Sequence, residues 1–274
     1  MKNPIDLHIH TNCSDGLLSP EEVIDYCLKN GVKILSISDH DTVQAYYDLD
    51  GYVGGKDIIL IPSVELSTSW KNTDFHILGY MIDYKSPLFE EKVNHFRHER
   101  FKRGEAIVKK LNELGIDLSM ETVKRLAGNS VMGRPHVADA LVKEEFVLTL
   151  DEAFARYLGY HAPAYVPKKY LSPREAINLI HKAHGVAIWA HPGPVGHDYL
   201  LGDFIEMGLD GLEAYHPLHD YGTNRHYINL AKKNGIIYTG GSDCHARRER
   251  ILIGSQKVPY KCYKMLLKAK DKYS

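Results

Sequence analysis

The chain alternates short apolar runs with amphipathic segments, and this alternation restricts its possible folds more than any other feature. Seven apolar runs predict strands: IDLHIH, VKILSIS, DIILIPSVELS, FHILGY, VAIWA, GLEAY and IIYTGG. Two amphipathic segments, SPEEVIDYCLKNG and SPREAINLIHKAHG, carry a serine cap, a first-turn proline, a glutamate three residues after the serine, and a closing glycine, which together predict helices. Strands alternating with helices are typical of βαβ units. We therefore predict an α/β fold, a barrel related to the TIM fold but short of eight strands.

The alternation is interrupted over residues 84–168. This stretch is much longer than the roughly two to six residues that usually join a strand to a helix. It contains helical periodicity and no clear strand, in FRHERFKRGEAIVKKLNELG, SMETVKRLAG and HVADALVKE. Its basic run RHERFKR, residues 97–103, is interpreted as a solvated helix face. We predict a barrel of residues 1–83 and 169–274 with a helical insertion of residues 84–168 that selects the substrate.

Composition argues against several classes of function. The net charge of the 274 residues is −1, which gives no global field for binding long duplex nucleic acid or a membrane surface. No apolar run approaches the roughly 18 residues of a spanning helix, and the N-terminus lacks a secretory signal pattern. The four cysteines show no paired spacing, which is typical of reduced thiols. We expect a cytoplasmic protein without membrane contact or an obligate protein partner.

The 16 histidines are the anomaly in this composition. His8 and His10 end the first predicted strand, and alternate strand residues share a face, so both imidazoles can bind one ion. Other polar residues lie in or directly after the later predicted strands: Asp39, His40, Glu65, His76, His191, Glu213, His216, Asp243 and His245. In barrels of this type the carboxyl ends of the strands converge where the chemistry is built. We therefore expect these side chains to lie together.

A metal centre explains this arrangement better than separate structural histidines do. A single histidine is usually a satisfied core or surface group, and we interpret in that way the four on predicted helices, His95, His98, His181 and His226. Many unpaired polar groups on one buried face would cost several kcal/mol each. Imidazole and carboxylate ligands without cysteine suit Mn²⁺, Fe²⁺ or Zn²⁺. The number of donors predicts two or three divalent ions, with Mn²⁺ the expected metal.

The HIH motif with its following aspartate, SDHDT, the third-strand glutamate, AHPG and GSDCH resemble the PHP (polymerase and histidinol phosphatase) family of metal-dependent phosphoesterases. The resemblance implies a distorted seven-stranded (β/α) TIM-like barrel with up to three metal ions. It implies that one ion is held by His8, His10, Glu65 and Asp243. A second ion, to which Glu65 would bridge, would be completed by His76 and His191. A third would be held by Asp15, His40 and His245.

The insertion, with GRPHVADAL, resembles a narrower branch of this family that acts on small nucleotide or sugar phosphates, including 3′,5′-bisphosphate nucleotides and short RNA ends. This resemblance implies phosphate contacts for Arg134 and His136. Position alone suggests three further substrate contacts, His216, His219 and Arg247. Some histidinol phosphatases carry histidine where this chain has Asp15. This difference argues against histidinol phosphate, which is kept, together with a cyclic or sugar phosphate, as the alternative substrate within the family.

The predicted reaction is hydrolysis of a small phosphate ester, most simply the 3′-phosphate of a bisphosphate nucleotide or a short RNA end. A water bridging two ions would lose a proton near neutral pH and attack phosphorus. The predicted catalytic residues are Glu65, His191 and Asp243, and the general acid is left unassigned. The expected partner is a small phosphorylated substrate, not long duplex nucleic acid.

Three other classes of protein make different predictions. An amidohydrolase acting on C–N bonds would share the barrel and the HIH motif, but such enzymes commonly use a carbamylated lysine where this chain has His76. A non-catalytic domain of the same family would have lost metal ligands. A structural zinc site is closed, four-coordinate and usually rich in cysteine. The full set of donors favours the phosphoesterase.

Overall fold

The computed structural model describes residues 4–71, 73–167, 171–247 and 250–273. Its strands are β1 Ile5–Ile9, β2 Ile34–Ile37, β3 Ile59–Leu60, β4 Ser63–Trp70, β5 Thr73–Tyr80, β6 Val186–Trp189, β7 Gly211–Tyr215 and β8 Ile237–Gly240. Its helices are α1 Pro20–Asn30, α2 Gln44–Asp48, α3 Pro87–Glu113, α4 Met120–Ala127, α5 Arg134–Lys143, α6 Leu150–Ala153, α7 Pro173–Lys182, α8 Pro192–Val195, α9 Leu201–Glu206, α10 Tyr221–Lys233 and α11 Tyr260–Lys270. A π-helix spans Phe154–Leu158, and 3₁₀ helices span Asp198–Leu200 and Asp271–Tyr273. Within these ranges, no helix combines the length and the apolar character that a membrane crossing requires.

The strands form two sheets. β1, β2 and β3 make a parallel sheet, and β4 to β8 make a second sheet in which β5 runs antiparallel to both β4 and β6. Single bridges, Ile9 with Cys244 and His40 with Glu65, join the two sheets. The predicted α/β class is confirmed. A closed seven-stranded barrel is not confirmed, because the described residues form eight strands in two sheets that do not close.

Two local features explain this difference. The predicted third strand is interrupted at Pro62, which lacks the N–H of a ladder bond, so β3 ends at Leu60 and β4 begins at Ser63. Trp70, the last residue of β4, pairs with Thr73, the first residue of β5. A parallel crossover needs about a dozen residues or more. The short connection therefore permits only an antiparallel hairpin.

The predicted helix starts are confirmed. Two capping boxes are present, formed by Ser19 with Glu22 in α1 and by Ser172 with Glu175 in α7. Gly31 ends α1 in the left-handed conformation with a φ of 75°. At the end of α7 the left-handed residue is His184, with a φ of 58°, and not the predicted Gly185. The start signals were therefore more accurate than the stop signal of α7.

The described part of the inserted segment is helical and contains no strand. The long helix α3 belongs to two apolar cores. Near its start, Phe89 and Phe96 pack in the main core with the strands. Near its end, Ile107 and Leu111 pack in a second core with residues of α4, α5 and α6. The division into barrel and insertion remains a prediction, and its boundary at residues 168 and 169 lies outside the described residues.

Gly241 lets the two ends of the chain meet. A Cβ at this position would lie 2.4 Å from the backbone nitrogen of His8, so only glycine permits the close approach. The backbone N–H of His10 also donates to the carbonyl oxygen of Cys244 at 3.0 Å. The HIH strand therefore lies directly beside the GSDCH segment.

Candidate metal centre

The nine predicted metal ligands lie together where the two sheets meet. Three groups each place their ligand atoms within 4.8 Å of one another. The groups are His8, His10, Glu65 and Asp243; His10, Asp15, His40 and His245; and His40, Glu65 and His76. His191 joins them because its Nε2 lies 2.9 Å from Oε1 of Glu65. His10 and His40 each belong to two groups, a sharing that the sequence did not predict.

Glu65 lies at the centre of this arrangement, and its side chain is only 1% exposed. Its Oε1 lies 2.9 Å from both Nδ1 of His76 and Nε2 of His191. Its Oε2 lies 3.1 to 3.3 Å from a nitrogen of each of three other imidazoles, those of His8, His10 and His40. The backbone N–H of Glu65 donates to the carbonyl of Asp39 at 3.1 Å, which ties β4 to the segment after β2. One carboxylate thus faces imidazoles from both sheets.

The donor atoms fit divalent cations. Nδ1 of His10, Nδ1 of His40 and Oε2 of Glu65 are buried, and none of them makes a hydrogen bond of good geometry with the described residues, although imidazole nitrogens lie 3.1 to 3.3 Å from Oε2. Such groups are rare in native structures because each carries a desolvation cost. Imidazole nitrogens and carboxylate oxygens that converge in this way are ligands for Mn²⁺, Fe²⁺ and Zn²⁺. A cluster of divalent ions would satisfy all three atoms.

Burial and charge act in opposite directions on the ionisable groups. Burial alone would raise the pKa values of Asp15, Glu65 and Asp243, but the surrounding histidines hold all three well below their usual range. Burial alone would lower the pKa values of His8 and His10. Neighbouring carboxylates outweigh it, so that the pKa of His8 lies well above its usual value and that of His10 is about 10. Without ions, protonated imidazoles therefore balance the ionised carboxylates.

These shifts predict that metal binding releases protons. At neutral pH the metal-free protein holds protons on His8 and His10, whose pKa values are raised, and an ion can bind these nitrogens only after the protons leave. Because the pKa of His10 is about 10, ion affinity is expected to keep rising with pH through the neutral range and up to about pH 10. Calorimetric titration with Mn²⁺ in two buffers of different ionisation enthalpy measures the protons released. Titration without proton release, or an affinity that does not change with pH, would contradict this assignment of ligands.

Glu213 orients two of the predicted ligands. It is fully buried, and its Oε1 lies 3.0 Å from Nδ1 of His8, which donates to it. Its Oε2 accepts a hydrogen bond from the backbone N–H of His191 at 2.9 Å. Because Nδ1 of His8 is the donor, Nε2 is left as the ligand atom, 3.3 Å from Glu65 and 3.5 Å from Asp243. The sequence placed Glu213 at a strand end but gave it no role; the structure makes it a positioning residue.

Asp39 holds the loop that carries Asp15. It is buried, and its carboxylate accepts hydrogen bonds from the backbone N–H of Thr11 at 2.7 Å and the hydroxyl of Ser14 at 2.6 Å. The hydroxyl of Thr11 donates to its second oxygen at 2.6 Å. These bonds anchor the loop after β1 to the end of β2. The sequence placed Asp39 beside the site but assigned it no function.

Asp6 was missed at the level of the sequence. Its carboxylate accepts hydrogen bonds from the backbone N–H groups of Ser242 at 2.8 Å and Gly254 at 2.7 Å. Burial raises the pKa of Asp6 to about 6. Asp6 precedes His8 and His10 at alternate positions of one strand, so the strand period places all three on the same face. That period was a signal that could have identified it.

Three residues of the site have left-handed backbone conformations. The φ angles are 30° for His191, 47° for Asp243 and 52° for Asp41. Residues other than glycine seldom adopt this region, and such strain concentrates at functional sites. The bond from the His191 N–H to Glu213 helps to hold one of them. The strained positions lie in the AHPG, GSDCH and SDHDT motifs.

Two histidines that were predicted to contact substrate are engaged by the protein. Nδ1 of His216 accepts a hydrogen bond from the backbone N–H of Leu218 at 3.2 Å, so Nε2 is the nitrogen that donates to Asp243, also at 3.2 Å. His219 donates to the carbonyl of Ala214 and accepts from the N–H of Gly193, which makes it structural. His216 supports a predicted ligand in this geometry, and its contact with substrate remains a proposal.

Arg247 links the predicted metal centre to the insertion. Its Nε donates to the carbonyl of Asp15 at 2.5 Å, and one of its terminal nitrogens lies 2.8 and 2.9 Å from the two carboxylate oxygens of Asp139 in α5. Its predicted contact with substrate therefore competes with two protein contacts. The structure shows Arg247 as a connection between the Asp15 loop and α5.

Arg134 and His136 lie at the start of α5. His136 is buried, and its Nδ1 accepts a hydrogen bond from the backbone N–H of Gly133 at 3.0 Å. The guanidinium of Arg134 donates to the carbonyl of Leu158 at 3.2 Å and lies 5.5 Å from the ring centre of Tyr165. Both side chains are therefore held in defined positions. Their contact with phosphate remains a proposal.

Comparison with known proteins supports the chemistry of this site. The model of the PHP domain matches residues 6–185 of the chain. The chain is 32% identical to the 5′-3′ exoribonuclease Rnm of Escherichia coli over 247 residues, which cover 88% of this chain and 84% of that protein. It is 31% identical to a 3′,5′-nucleoside bisphosphate phosphatase of Chromobacterium violaceum over 251 residues, which cover 89% and 88%.

A solved structure shows the same architecture. It is described as a metal-dependent phosphoesterase from Bifidobacterium adolescentis, and it superposes with a TM-score of 0.88 at 25% sequence identity. The match covers 97% of this chain and 96% of the other. Together with the converging donor groups, these similarities show that the chain belongs to the PHP domain family and is a metal-dependent phosphoester hydrolase.

Proposed function

We propose that this enzyme hydrolyses the phosphoester on the 3′ oxygen of a nucleotide, in a 3′,5′-bisphosphate nucleotide or at a short RNA end. The observation that supports this most directly is the cluster of donor groups around Glu65, which Arg247 connects to α5, the helix that carries Arg134 and His136. A bisphosphate nucleotide and the 5′-phosphorylated end of RNA both present phosphorus on the 3′ oxygen of a nucleotide that also bears a 5′ phosphate. One site can therefore act on both.

Two to three divalent ions, most simply Mn²⁺, would be held by the nine converging ligands. The proposed ligands are His8, His10, Asp15, His40, Glu65, His76, His191, Asp243 and His245. When bound, the ions supply an activated water and Lewis-acid neutralisation of charge on the phosphoryl group. Of these ligands, Glu65, His191 and Asp243 are the proposed catalytic residues. Glu213, Asp39 and His216 hold the ligands in position.

At the start of α5, the substrate's phosphates would contact the imidazole N–H of His136 and the guanidinium of Arg134. With Nδ1 of His136 accepting from Gly133, its Nε2 carries the proton and can donate to a phosphate oxygen. Burial lowers the pKa of His136, which keeps the ring in this neutral form. Arg134 precedes it and offers a planar fork suited to phosphate. The start of α5 adds the partial positive charge of a helix N-terminus.

A pocket borders the proposed metal centre at Asp243 and His245. It has a volume of about 150 Å³ and is lined by His216, Asp243, His245, Arg247 and Arg250, among others. Two arginines and His216 beside the predicted ligands Asp243 and His245 favour an anionic occupant. This supports a phosphate ester over a neutral amide as the substrate.

The function is tested by phosphate release with Mn²⁺. Adenosine 3′,5′-bisphosphate is expected to be hydrolysed at least about tenfold faster than p-nitrophenyl phosphate, because its second phosphate adds charge-assisted hydrogen bonds. Protein treated with a chelator should be inactive and should recover when Mn²⁺ is restored. Long duplex DNA should remain intact.

Two other outcomes would contradict different parts of this proposal, the substrate or the reaction class. Faster turnover of histidinol phosphate, or of a cyclic ribose phosphate, would contradict the nucleotide proposal and leave phosphoester hydrolysis in place. Cleavage of an amide, with no phosphate ester accepted, would contradict the reaction class and favour an amidohydrolase.

A further inference from the structure

The basic segment of residues 97–103 has one buried side and one exposed side on α3. The solvated face predicted for it is wrong for Arg100 and Arg103, which are buried. Nε of Arg100 donates to Asp41 at 2.5 Å, and Nε of Arg103 donates to the carbonyl of Val166 at 2.7 Å. These two residues support the fold. Arg97 and His98 lie on the exposed side of α3.

The exposed side lines a pocket between α3 and α4. Its volume is about 340 Å³. Its lining residues include Asn94, Arg97, His98, Phe101, Lys124 and Ser130. No acidic residue lines it within the part of the chain that the structure describes. The pocket therefore concentrates positive charge on a protein whose net charge is −1.

The polar groups of the pocket are held in position. A terminal nitrogen of Arg97 donates to the carbonyl of Asn129 at 2.6 Å. The ammonium of Lys124 lies 5.2 Å from the ring centre of Phe101, within the range of a cation–π contact. Phe101 is partly exposed, so part of its ring is accessible. Two cations beside an aromatic face form the combination that binds single-stranded nucleic acid, through phosphates and stacked bases.

This pocket adjoins the proposed metal centre. The hydroxyl of Ser130, in the pocket wall, donates to the carbonyl of Asn12 at 2.7 Å, and the N–H of Val131 donates to the carbonyl of Cys13 at 2.9 Å. Asn12 and Cys13 belong to the same loop as the predicted ligand Asp15. Three residues span at most about 11 Å. A chain of a few nucleotides is therefore long enough to reach from the metal centre to the pocket.

We propose that this pocket binds the phosphates and a base of single-stranded RNA downstream of the nucleotide being hydrolysed. The proposal rests on the proposed function, since it assigns the remainder of the substrate chain to a surface. A mononucleotide bisphosphate would end at the metal centre and leave the pocket unused. The pocket therefore decides the preference between a mononucleotide and an oligonucleotide.

The test compares the hydrolysis of two substrates by a double variant of the pocket and by a control double variant. Arg97→Gln with Lys124→Gln removes two positive charges from the pocket, and Lys109→Gln with Lys232→Gln removes two exposed charges elsewhere as the control. The kcat/KM for a 5′-phosphorylated RNA hexanucleotide, divided by that for adenosine 3′,5′-bisphosphate, is expected to fall about tenfold in the pocket variant. It should stay unchanged in the control. The slope of log kcat/KM for the RNA against log salt should become shallower by about 1.4, since each single-strand phosphate contact contributes about 0.7.

The outcomes separate the two proposals. An unchanged ratio in the pocket variant, or the same fall in the control, overturns the pocket. If the wild-type enzyme hydrolyses the bisphosphate but not the RNA, the pocket proposal fails and the proposed function stands. If it hydrolyses neither, the proposed function fails as well. Phe101→Leu, which removes the aromatic face and no charge, should lower the same ratio without changing the salt slope.

Discussion

A Glu65→Gln variant is expected to lose about a thousandfold or more in kcat. The physical reason is the number of groups that one carboxylate serves. Oε1 faces His76 and His191, and Oε2 faces three other imidazoles. Glutamine has almost the same size but no negative charge, and its amide N–H₂ would point at nitrogens that also act as donors. The variant should therefore lose the shared ligand of adjacent ions.

Steady-state kinetics and elemental analysis of the metal-loaded protein measure this effect. The wild-type protein should retain at least two ions per chain, in line with its three donor groups, and Glu65→Gln should retain fewer. Glu113→Gln, at an exposed position of α3, is the matched control and should behave as wild type. His245→Gln should cost less than Glu65→Gln, since His245 contacts fewer of the other predicted ligands. Near-normal turnover with a full complement of ions in Glu65→Gln would show that Glu65 does not bridge.

Glu213→Gln is expected to reduce metal affinity or activity by about 10- to 100-fold, although we do not place Glu213 among the ligands. Its two oxygens accept hydrogen bonds from Nδ1 of His8 and from the N–H of His191. An amide can keep only one good acceptor there, so either the ring of His8 or the strained backbone at His191 loses its support. The charge that raises the pKa of His8 is lost as well.

Three measurements distinguish a positioning role from a structural one. Mn²⁺ titration should show weaker binding, and the pH at which half the sites fill should change, because the pKa of His8 depends on this carboxylate. Thermal unfolding should show whether the fold is retained. Glu206→Gln, exposed on α9, removes the same charge without these contacts and should be neutral. Unchanged ion affinity and pH profile in folded Glu213→Gln would exclude the role that we assign to it.

Local signals in the sequence predicted local structure well. The capping boxes of Ser19 with Glu22 and of Ser172 with Glu175 are present because they depend only on residues three apart. The closed barrel of parallel strands was not confirmed. The connection between β4 and β5 is short, and its length makes these two strands antiparallel. The short link between Trp70 and Thr73 could have revealed the hairpin, since a parallel crossover cannot be made in so few residues.

The set of donors in the candidate site was also readable from the sequence. Strand alternation places His8 and His10 on one face, and strand ends supply the remaining histidines and carboxylates. The predicted ligands lie together in the structure, and their individual assignment to ions remains a prediction. The basic run of residues 97–103 shows the limit of such patterns. One helix turn separates the buried Arg100 from the exposed Arg97, and only packing distinguishes them.

The sequence by itself determined the fold class, the starts of α1 and α7 and the set of polar residues that converge at the candidate site, because these depend on periods and spacings within short segments. Only the tertiary structure decided which groups share Glu65, how Glu213 orients His8 across 205 residues of chain, and where Arg97 and Lys124 form a pocket. The physical reason is that these contacts join segments far apart in the chain. Their distances depend on how two sheets and an inserted helical core pack together, which no local pattern encodes.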